Sequence, residues 1–317
     1  MDSSSRIGVR DKFRWNDGEW RFVTFYETIN FNSQFSFSGE DYMAPTEAGN
    51  LVTYHREEFI GFITLNRAEK RNALNPIVWN ALDRAIEQAE QDREVRVVLL
   101  VGAGKSFCAG LDLSPENELF SVVGQVPDAA QKVWFFKEVR RIQDIHTRLE
   151  RLSIPTIALI HGHCLGAGLE LVLCCDIRLC TQDTLFAFPE AKLGFITDVG
   201  GLQRLPRVVG KGHAREIAFR GHRFDARRAQ AIQLVNDVFP DRDTLEIKGK
   251  EMAEEIAGNP PLAVQGAKEV LCFDEEASLE ESLAYNAARS SMIVPSQDLM
   301  EAVAAYMQKR KGTFKGA

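Results

Sequence analysis

From Leu51 onward, apolar and polar positions recur with two distinct periods. Residues 52–55 and 61–65 alternate every second position, which predicts two half-buried strands able to pair as a hairpin. Asn75 precedes Pro76, a capping residue followed by a favoured first helical residue. Ile77, Val78, Ala81, Leu82, Ala85, Ile86 and Ala89 then recur at three- and four-residue steps and predict an amphipathic helix. Residues 95–101 read as a buried strand, 134–151 as a second amphipathic helix, and 154–161 as another buried strand. Residues 166–175 predict a short apolar helix, 177–180 a strand, and 212–219 and 226–231 helices. From Ile247 the pattern is almost wholly helical. Strands alternating with helices, then helices alone, imply an α/β core with a helical C-terminal region. The implied divisions are 1–42, 43–245 and 246–317.

The first 42 residues stand apart. They hold ten aromatic side chains in a chain with 20 Phe, 4 Trp and 5 Tyr. Two readings fit: a docking arm with a short strand or two, or leader sequence ahead of Met43. The opening MDSSSRIGVRDKF has no apolar core of a secretory signal, and TFKGA matches no peroxisomal or reticulum address. The uncharged stretch from Leu152 to Leu169 is broken by Pro155, His161, Gly162, His163 and Gly166, so it reads as strand–turn–helix rather than a membrane span.

Composition is that of an ordinary globular chain, 45% hydrophobic and 26% charged, with a net charge of -7. That charge disfavours nucleic-acid partners, although a local basic patch could still hold a phosphate-rich ligand, and with no membrane span no membrane partner is expected. Cys108, Cys164, Cys174, Cys175, Cys180 and Cys272 form no C-x-x-C pair, and most lie in apolar runs. They are expected as reduced thiols in a cytoplasmic protein, with no metal site. Gly102-Ala103-Gly104-Lys105-Ser106 is not a phosphate loop, because Leu99 stands where that loop needs glycine. Neither a G-x-S-x-G elbow nor a dinucleotide fingerprint is present.

Two glycine-containing turns each follow a buried strand: Phe107-Cys108-Ala109-Gly110-Leu111-Asp112, and Cys164-Leu165-Gly166-Ala167-Gly168, which opens a helix. Small residues there let backbone N–H groups approach a ligand, and a helix start leaves N–H groups unpaired. Two such groups converging would bind a carbonyl oxygen; tight turns without a ligand are the alternative. Glu170 lies one turn into the apolar helix, where burial would raise its pKa. Glu190 follows Pro189 after an apolar run, and Asp198 lies in a glycine-rich stretch. Each acid alone could instead pair with Lys192, Arg178 or Arg204. The three together suggest an acid/base site that takes a proton at one carbon and delivers one at another.

In chain order, Ile63-Thr64-Leu65-Asn66-Arg67, the run 69–75, the run 104–113, His161-Gly162 through Gly168, Glu170, Cys175-Asp176-Ile177-Arg178, Pro189-Glu190 and 200–206 resemble the crotonase family, the enoyl-CoA hydratases/isomerases. The resemblance covers about residues 50–317. It implies a crotonase-like ββα spiral core, a C-terminal helical oligomerisation region, and a homotrimer or homohexamer. It implies an acyl-CoA substrate and no separate cofactor, CoA entering as part of the thioester. The thioester oxygen is assigned to the N–H groups of Ala109 and Ala167, the latter at a position more often glycine. Substrate and CoA contacts are assigned to Arg71, Ala73, Leu74, Gly110, Leu111, Asp112 and Gly166.

The acids separate the branches. Family hydratases use two glutamates matching Glu170 and Glu190. Family dienoyl-CoA isomerases use a pair matching Glu190 and Asp198, with Asp at the position of Glu170. This chain carries all three. Residues 176–183, Thr197-Asp198-Val199-Gly200, 202–206 and Ser296-Gln297-Asp298-Leu299 resemble the dienoyl isomerase branch, which makes Δ3,5-Δ2,4-dienoyl-CoA isomerisation the favoured activity. Hydration of a 2-enoyl-CoA by Glu170 and Glu190 is the alternative. A non-catalytic or RNA-binding homologue is a third reading, opposed by the acids and by the lack of a basic stripe.

Overall fold

The computed structural model describes residues 51–117, 119 and 128–317, with the backbone of two short strands nearer the N-terminus. The rest of the aromatic N-terminal segment and the loop 120–127, expected near the acyl end of a substrate, lie outside the described residues. The chain divides at Ala44/Pro45 into two units. In the first, β1 (Phe13–Asn16) and β2 (Glu19–Phe22) pair antiparallel, with Trp15 opposite Trp20.

In the second unit, β3 (Val52–Glu57) and β4 (Ile60–Leu65) form the expected hairpin. Asn75 caps α1 (Pro76–Gln91) by accepting from the Val78 N–H at 3.0 Å. The buried face of α1 includes Trp79, which the apolar pattern omitted, whereas Ile77 is exposed. In the first turn, Ile77 falls on the outer side of the stripe running through Val78, Leu82, Ala85 and Ala89. After β5 (Val97–Gly102), α2 (Ala129–Glu150) starts before the expected residue 134. Its signal is a capping box, in which Asp128 accepts from the Gln131 N–H while the Gln131 side chain accepts from the Asp128 N–H.

Next come β6 (Thr156–Ile160), β7 (His163–Leu165), α3 (Ala167–Val172), β8 (Ile177–Thr181), β9 (Leu185–Ala187) and α4 (Glu190–Leu193). Helix α5 (Gly201–Arg220) begins well before Gly212 and is broken at Gly210, whose φ of 78° is not helical. It is followed by β10 (Phe224–Asp225), α6 (Ala226–Ala231), β11 (Asp237–Phe239) and α7 (Arg242–Ala257). Three helices close the chain: α8 (Pro261–Asp274), α9 (Leu279–Ile293) and α10 (Gln297–Gln308). Strands β7, β9, β10 and β11 are too short for a periodic signal. Among the described residues no helix is long and apolar enough to cross a membrane.

The main sheet has the order β11-β8-β6-β5-β4-β3, parallel except for the β3–β4 hairpin. Both faces are covered, which is why its strands read as continuous apolar runs. Val98 and Leu100 face the larger core under α1 and α2; Val97 and Leu99 face the smaller one under α7. A second layer, β10-β9-β7, continues through the bridges Cys108–Cys164 and Leu74–Leu111. Each spiral turn thus runs from a main-sheet strand into a short second-layer segment and then a helix.

Asn72 ties these turns together. It is buried and left-handed (φ 56°), a conformation asparagine tolerates better than most residues. Its Nδ2 donates to the carbonyls of Ala103, Ser106 and Phe107 at 2.9–3.0 Å, and its Oδ1 accepts from the Arg67 N–H at 2.8 Å. Asn72→Ala strands these buried groups and should lower the unfolding free energy by about 3 kcal/mol. Denaturant titration checks this; a loss below about 1 kcal/mol would show that backbone contacts alone hold the turn.

Candidate active site

The two glycine turns meet edge to edge. Cys108 N–H donates to the His163 carbonyl and Leu165 N–H to the Cys108 carbonyl, at 2.9 and 3.0 Å. Gly110 (φ 90°) lies so close to the second turn that a Cβ there would sit 2.7 Å from the Leu165 carbonyl oxygen. Gly166 (φ 50°) starts α3, and a Cβ there would collide with Glu190 Oε1. Glycine is needed at both positions for backbone conformation and for close approach.

These turns, α3, α4 and the 194–200 segment enclose a cavity of about 110 Å³. Ala109, Gly110, Leu111, Gly166, Ala167, Glu170, Glu190 and Asp198 all line it. The apolar walls include Trp79, Leu119, Phe135 and Ile142, which sequence reading assigned no site role. Their signal was masked, because each also fits an ordinary core position. Arg71, Ala73, Leu74 and Asp112 do not line the cavity. Arg71 is exposed, with its carbonyl engaged by a backbone N–H. Ala73 and Leu74 are buried, and both backbone polar groups of Leu74 are spent on Gly110 and Asp112. Both Asp112 carboxylate oxygens are occupied, by Arg67 Nη1 at 2.6 Å and the Ser114 N–H at 3.0 Å. The Arg67 guanidinium and the Ser114 bond outweigh burial and hold this carboxyl below its usual range.

One assignment is corrected. The Ala109 N–H donates to the Arg71 carbonyl at 2.9 Å and cannot also serve a ligand oxygen. Two residues on, the Leu111 N–H has no acceptor among the described residues, and neither has the Ala167 N–H at the start of α3. The paired turns therefore present Leu111 and Ala167 as open donors. The second-layer register, which sequence spacing does not reveal, decides which amide of the 107–112 turn is spent.

The three acids share the cavity without a cation. Among the described residues none forms an ion pair. Arg204 is paired with Glu150 at 2.6 Å, Arg178 donates to the Leu234 and Cys175 carbonyls, and Lys192 is exposed. Glu170, on α3, is fully buried. Its Oε2 accepts from the Gly201 N–H at 2.6 Å and the Val199 N–H at 3.1 Å, so a proton on this carboxyl belongs on Oε1. Burial pushes its pKa up to about 8, with Glu190 and Asp198 adding to the rise and the two N–H groups opposing it. Glu190, the first residue of α4, accepts from Thr197 Oγ1 at 3.2 Å. Burial raises its pKa, and Asp198 adds to that. Burial also raises Asp198. Cys108 lies beside the donors, but burial holds its thiol at about 12, which excludes a thiolate nucleophile. Two open N–H groups beside carboxyls of raised pKa can polarise a carbonyl and move protons at the carbons next to it.

Parallel strands that each turn into a short second-layer segment and a helix, with open amides and acids at the turns, define the crotonase class of fold. Residues 55–317 match the enoyl-CoA hydratase/isomerase family, and the chain belongs to it. It is 37% identical over 257 residues to the mitochondrial Delta(3,5)-Delta(2,4)-dienoyl-CoA isomerase of Dictyostelium discoideum, spanning 81% of this chain and 88% of that protein. The peroxisomal Delta(3,5)-Delta(2,4)-dienoyl-CoA isomerase of Arabidopsis thaliana is 37% identical over 268 residues, 83% of this chain and 95% of that one. The 2,3-dehydroadipyl-CoA hydratase of Escherichia coli (strain K12) is 34% identical, covering 82% and 97%. Among solved structures, enoyl-CoA hydratase from Bacillus anthracis superposes with a TM-score of 0.77 at 32% identity, covering 84% of this chain and all of that one. The protein is an enzyme, an isomerase or hydratase of this family.

The acid cluster costs stability. A carboxyl raised from 4.5 to about 8 supports the fold fully below about pH 4.5, and that support falls away as pH rises toward 8. Glu170→Gln removes the titration and keeps an oxygen for both N–H groups. It should raise the melting temperature, by a margin that widens from pH 5 to pH 8 and corresponds to a few kcal/mol at most. Thermal unfolding across that range is the check; a margin that shrinks with pH would contradict a raised Glu170.

Proposed function

We propose that the protein is a Δ3,5-Δ2,4-dienoyl-CoA isomerase acting on unsaturated fatty acyl-CoA thioesters in β-oxidation. The observation that carries this reading is Asp198 in the same cavity as Glu190 and the open donors, with no cation among the described residues paired to it. The thioester oxygen would accept from the Leu111 and Ala167 N–H groups, which stabilise the dienolate formed when a C2 proton leaves. Glu190 lies against Gly166, at the carbonyl end, and suits removal of that proton. Asp198 then delivers a proton to C6, and the double bonds shift from 3,5 to 2,4 with no net gain or loss of hydrogen. Burial raises the pKa of both carboxyls, which brings each closer to taking up as well as giving up a proton. No cofactor takes part beyond the CoA carried by the substrate. The buried thiols fit a reducing compartment such as the cytoplasm.

A second reading, hydration of a 2-enoyl-CoA, is favoured by Glu170 lining the cavity together with Glu190. The two readings separate spectroscopically. A 3,5-dienoyl-CoA should gain the conjugated 2,4-dienoyl chromophore faster than a 2-enoyl-CoA loses its own. Asp198→Asn should slow isomerisation by about 10²–10⁴-fold. Full activity in that variant, or turnover of the 2-enoyl substrate alone, would reject the isomerase assignment.

We further propose a homotrimer or homohexamer built through the C-terminal helices. They leave Leu271, Leu279, Leu283, Met292, Met300, Tyr306 and Met307 exposed, apolar side chains that a subunit contact would cover. Light scattering should give three or six times the 35.6 kDa chain mass; a monomer mass would overturn this.

A further inference from the structure

Neither Gln143 nor His146 lines the cavity, yet both hold the segment that arms it. They lie one turn apart on α2. Gln143 Nε2 donates to the Asp198 carbonyl at 2.5 Å, and His146 Nδ1 lies 3.0 Å from the Val199 carbonyl. A carbonyl only accepts, so Nδ1 carries the hydrogen. Further along the same helix face, Thr147 accepts from Arg204 Nη2 at 3.2 Å, and Glu150 pairs with the same guanidinium. One stripe of α2 therefore grips residues 198 to 204.

The peptide between Asp198 and Val199 is the critical unit. In a trans peptide the C=O and N–H point opposite ways. Here the C=O meets Gln143 while the N–H donates to Glu170 Oε2 at 3.1 Å. A donor on the carbonyl polarises the amide and strengthens the bond its N–H makes. The same anchor fixes the backbone from which the Asp198 side chain reaches the cavity. The other groups facing Glu170 are Glu190, Asp198, Arg204 and, just past the end of its own helix, Cys174; none of them reports on Gln143.

We propose that Gln143 and His146 are positioning residues for proton transfer, holding the 198–199 backbone so that Asp198 faces the cavity and the Val199 N–H stays on Glu170. The inference deepens the proposed function and rests on it only for the reaction in which its effect is read.

Gln143→Met and His146→Phe keep volume and lose the donor. Each should lower kcat about 10–100-fold, a range typical of lost support behind a reacting group, with KM for the acyl-CoA within about threefold. Gln143→Met should also move the Glu170 carboxyl titration, followed by carbon-13 resonance, to higher pH, because a weaker N–H bond stabilises its anion less. His146→Asn restores a donor near the Nδ1 position and should recover most of the lost kcat. Unchanged kcat in folded Gln143→Met and His146→Phe, with an unmoved Glu170 titration in Gln143→Met, overturns the inference, as does a change in KM alone. If the intact enzyme turns over neither the 3,5-dienoyl nor the 2-enoyl substrate, the functional reading fails separately. The positioning role is then decided by carbon-13 titration of the Glu170 carboxyl, which must move to higher pH in Gln143→Met. A titration that stays in place refutes it.

Discussion

Three carboxyl groups occupy one small, largely apolar cavity, and among the described residues no cation pairs with any of them. Stabilisation comes instead from fixed N–H and O–H donors: Val199 and Gly201 on Glu170, Thr197 on Glu190. An ion pair would hold each acid firmly ionised and remove it from proton exchange. Backbone dipoles satisfy Glu170 without fixing its charge, and burial raises all three acids above their ordinary range. The fold must therefore bring the 197–201 backbone against α3 and keep it there, and much of the local architecture serves that requirement.

The open-donor side of the cavity follows from the same economy of backbone groups. In the 107–112 turn, the Ala109 N–H closes onto Arg71 and the Leu111 N–H stays open. In the second turn, Gly166 bends the chain so that α3 begins with the Ala167 N–H unspent. Glycine at 110 and 166 lets the two turns and Glu190 approach closely. Asn72 holds the approach to the first turn from behind, through the Ala103, Ser106 and Phe107 carbonyls, so donor geometry and fold stability share one buried side chain. Asp112, a member of the same turn, works for the scaffold through Arg67.

Helix α2 couples the two halves of the site. Its inner face supplies the apolar wall at Phe135 and Ile142, while the stripe Gln143, His146, Thr147 and Glu150 anchors the segment that carries Asp198. The burial of His146 lowers its pKa to about 3, with Arg204 adding to the effect, so this imidazole stays neutral and acts only as a donor. The N-terminal half of α5 is tied to the same helix through Arg204 and Glu150.

Several features were legible in the residues themselves. Apolar runs at 95–101 and 154–161 marked core strands, Asn75-Pro76 marked a helix start, and an acid inside Leu169–Leu171 marked a shielded carboxyl. All depend on near neighbours in the chain, so local pattern suffices to read them. The short second-layer strands, the burial of Trp79 in place of Ile77, the loss of the Ala109 N–H to Arg71, the commitment of Asp112 to Arg67 and the grip of Gln143 on Asp198 join residues tens of positions apart. Residue order alone supplies the available chemistry: three acids and two glycine turns. Which amides remain open and which acids stay unpaired is settled by long-range packing, because a hydrogen-bonding group is spent or free according to what packs against it.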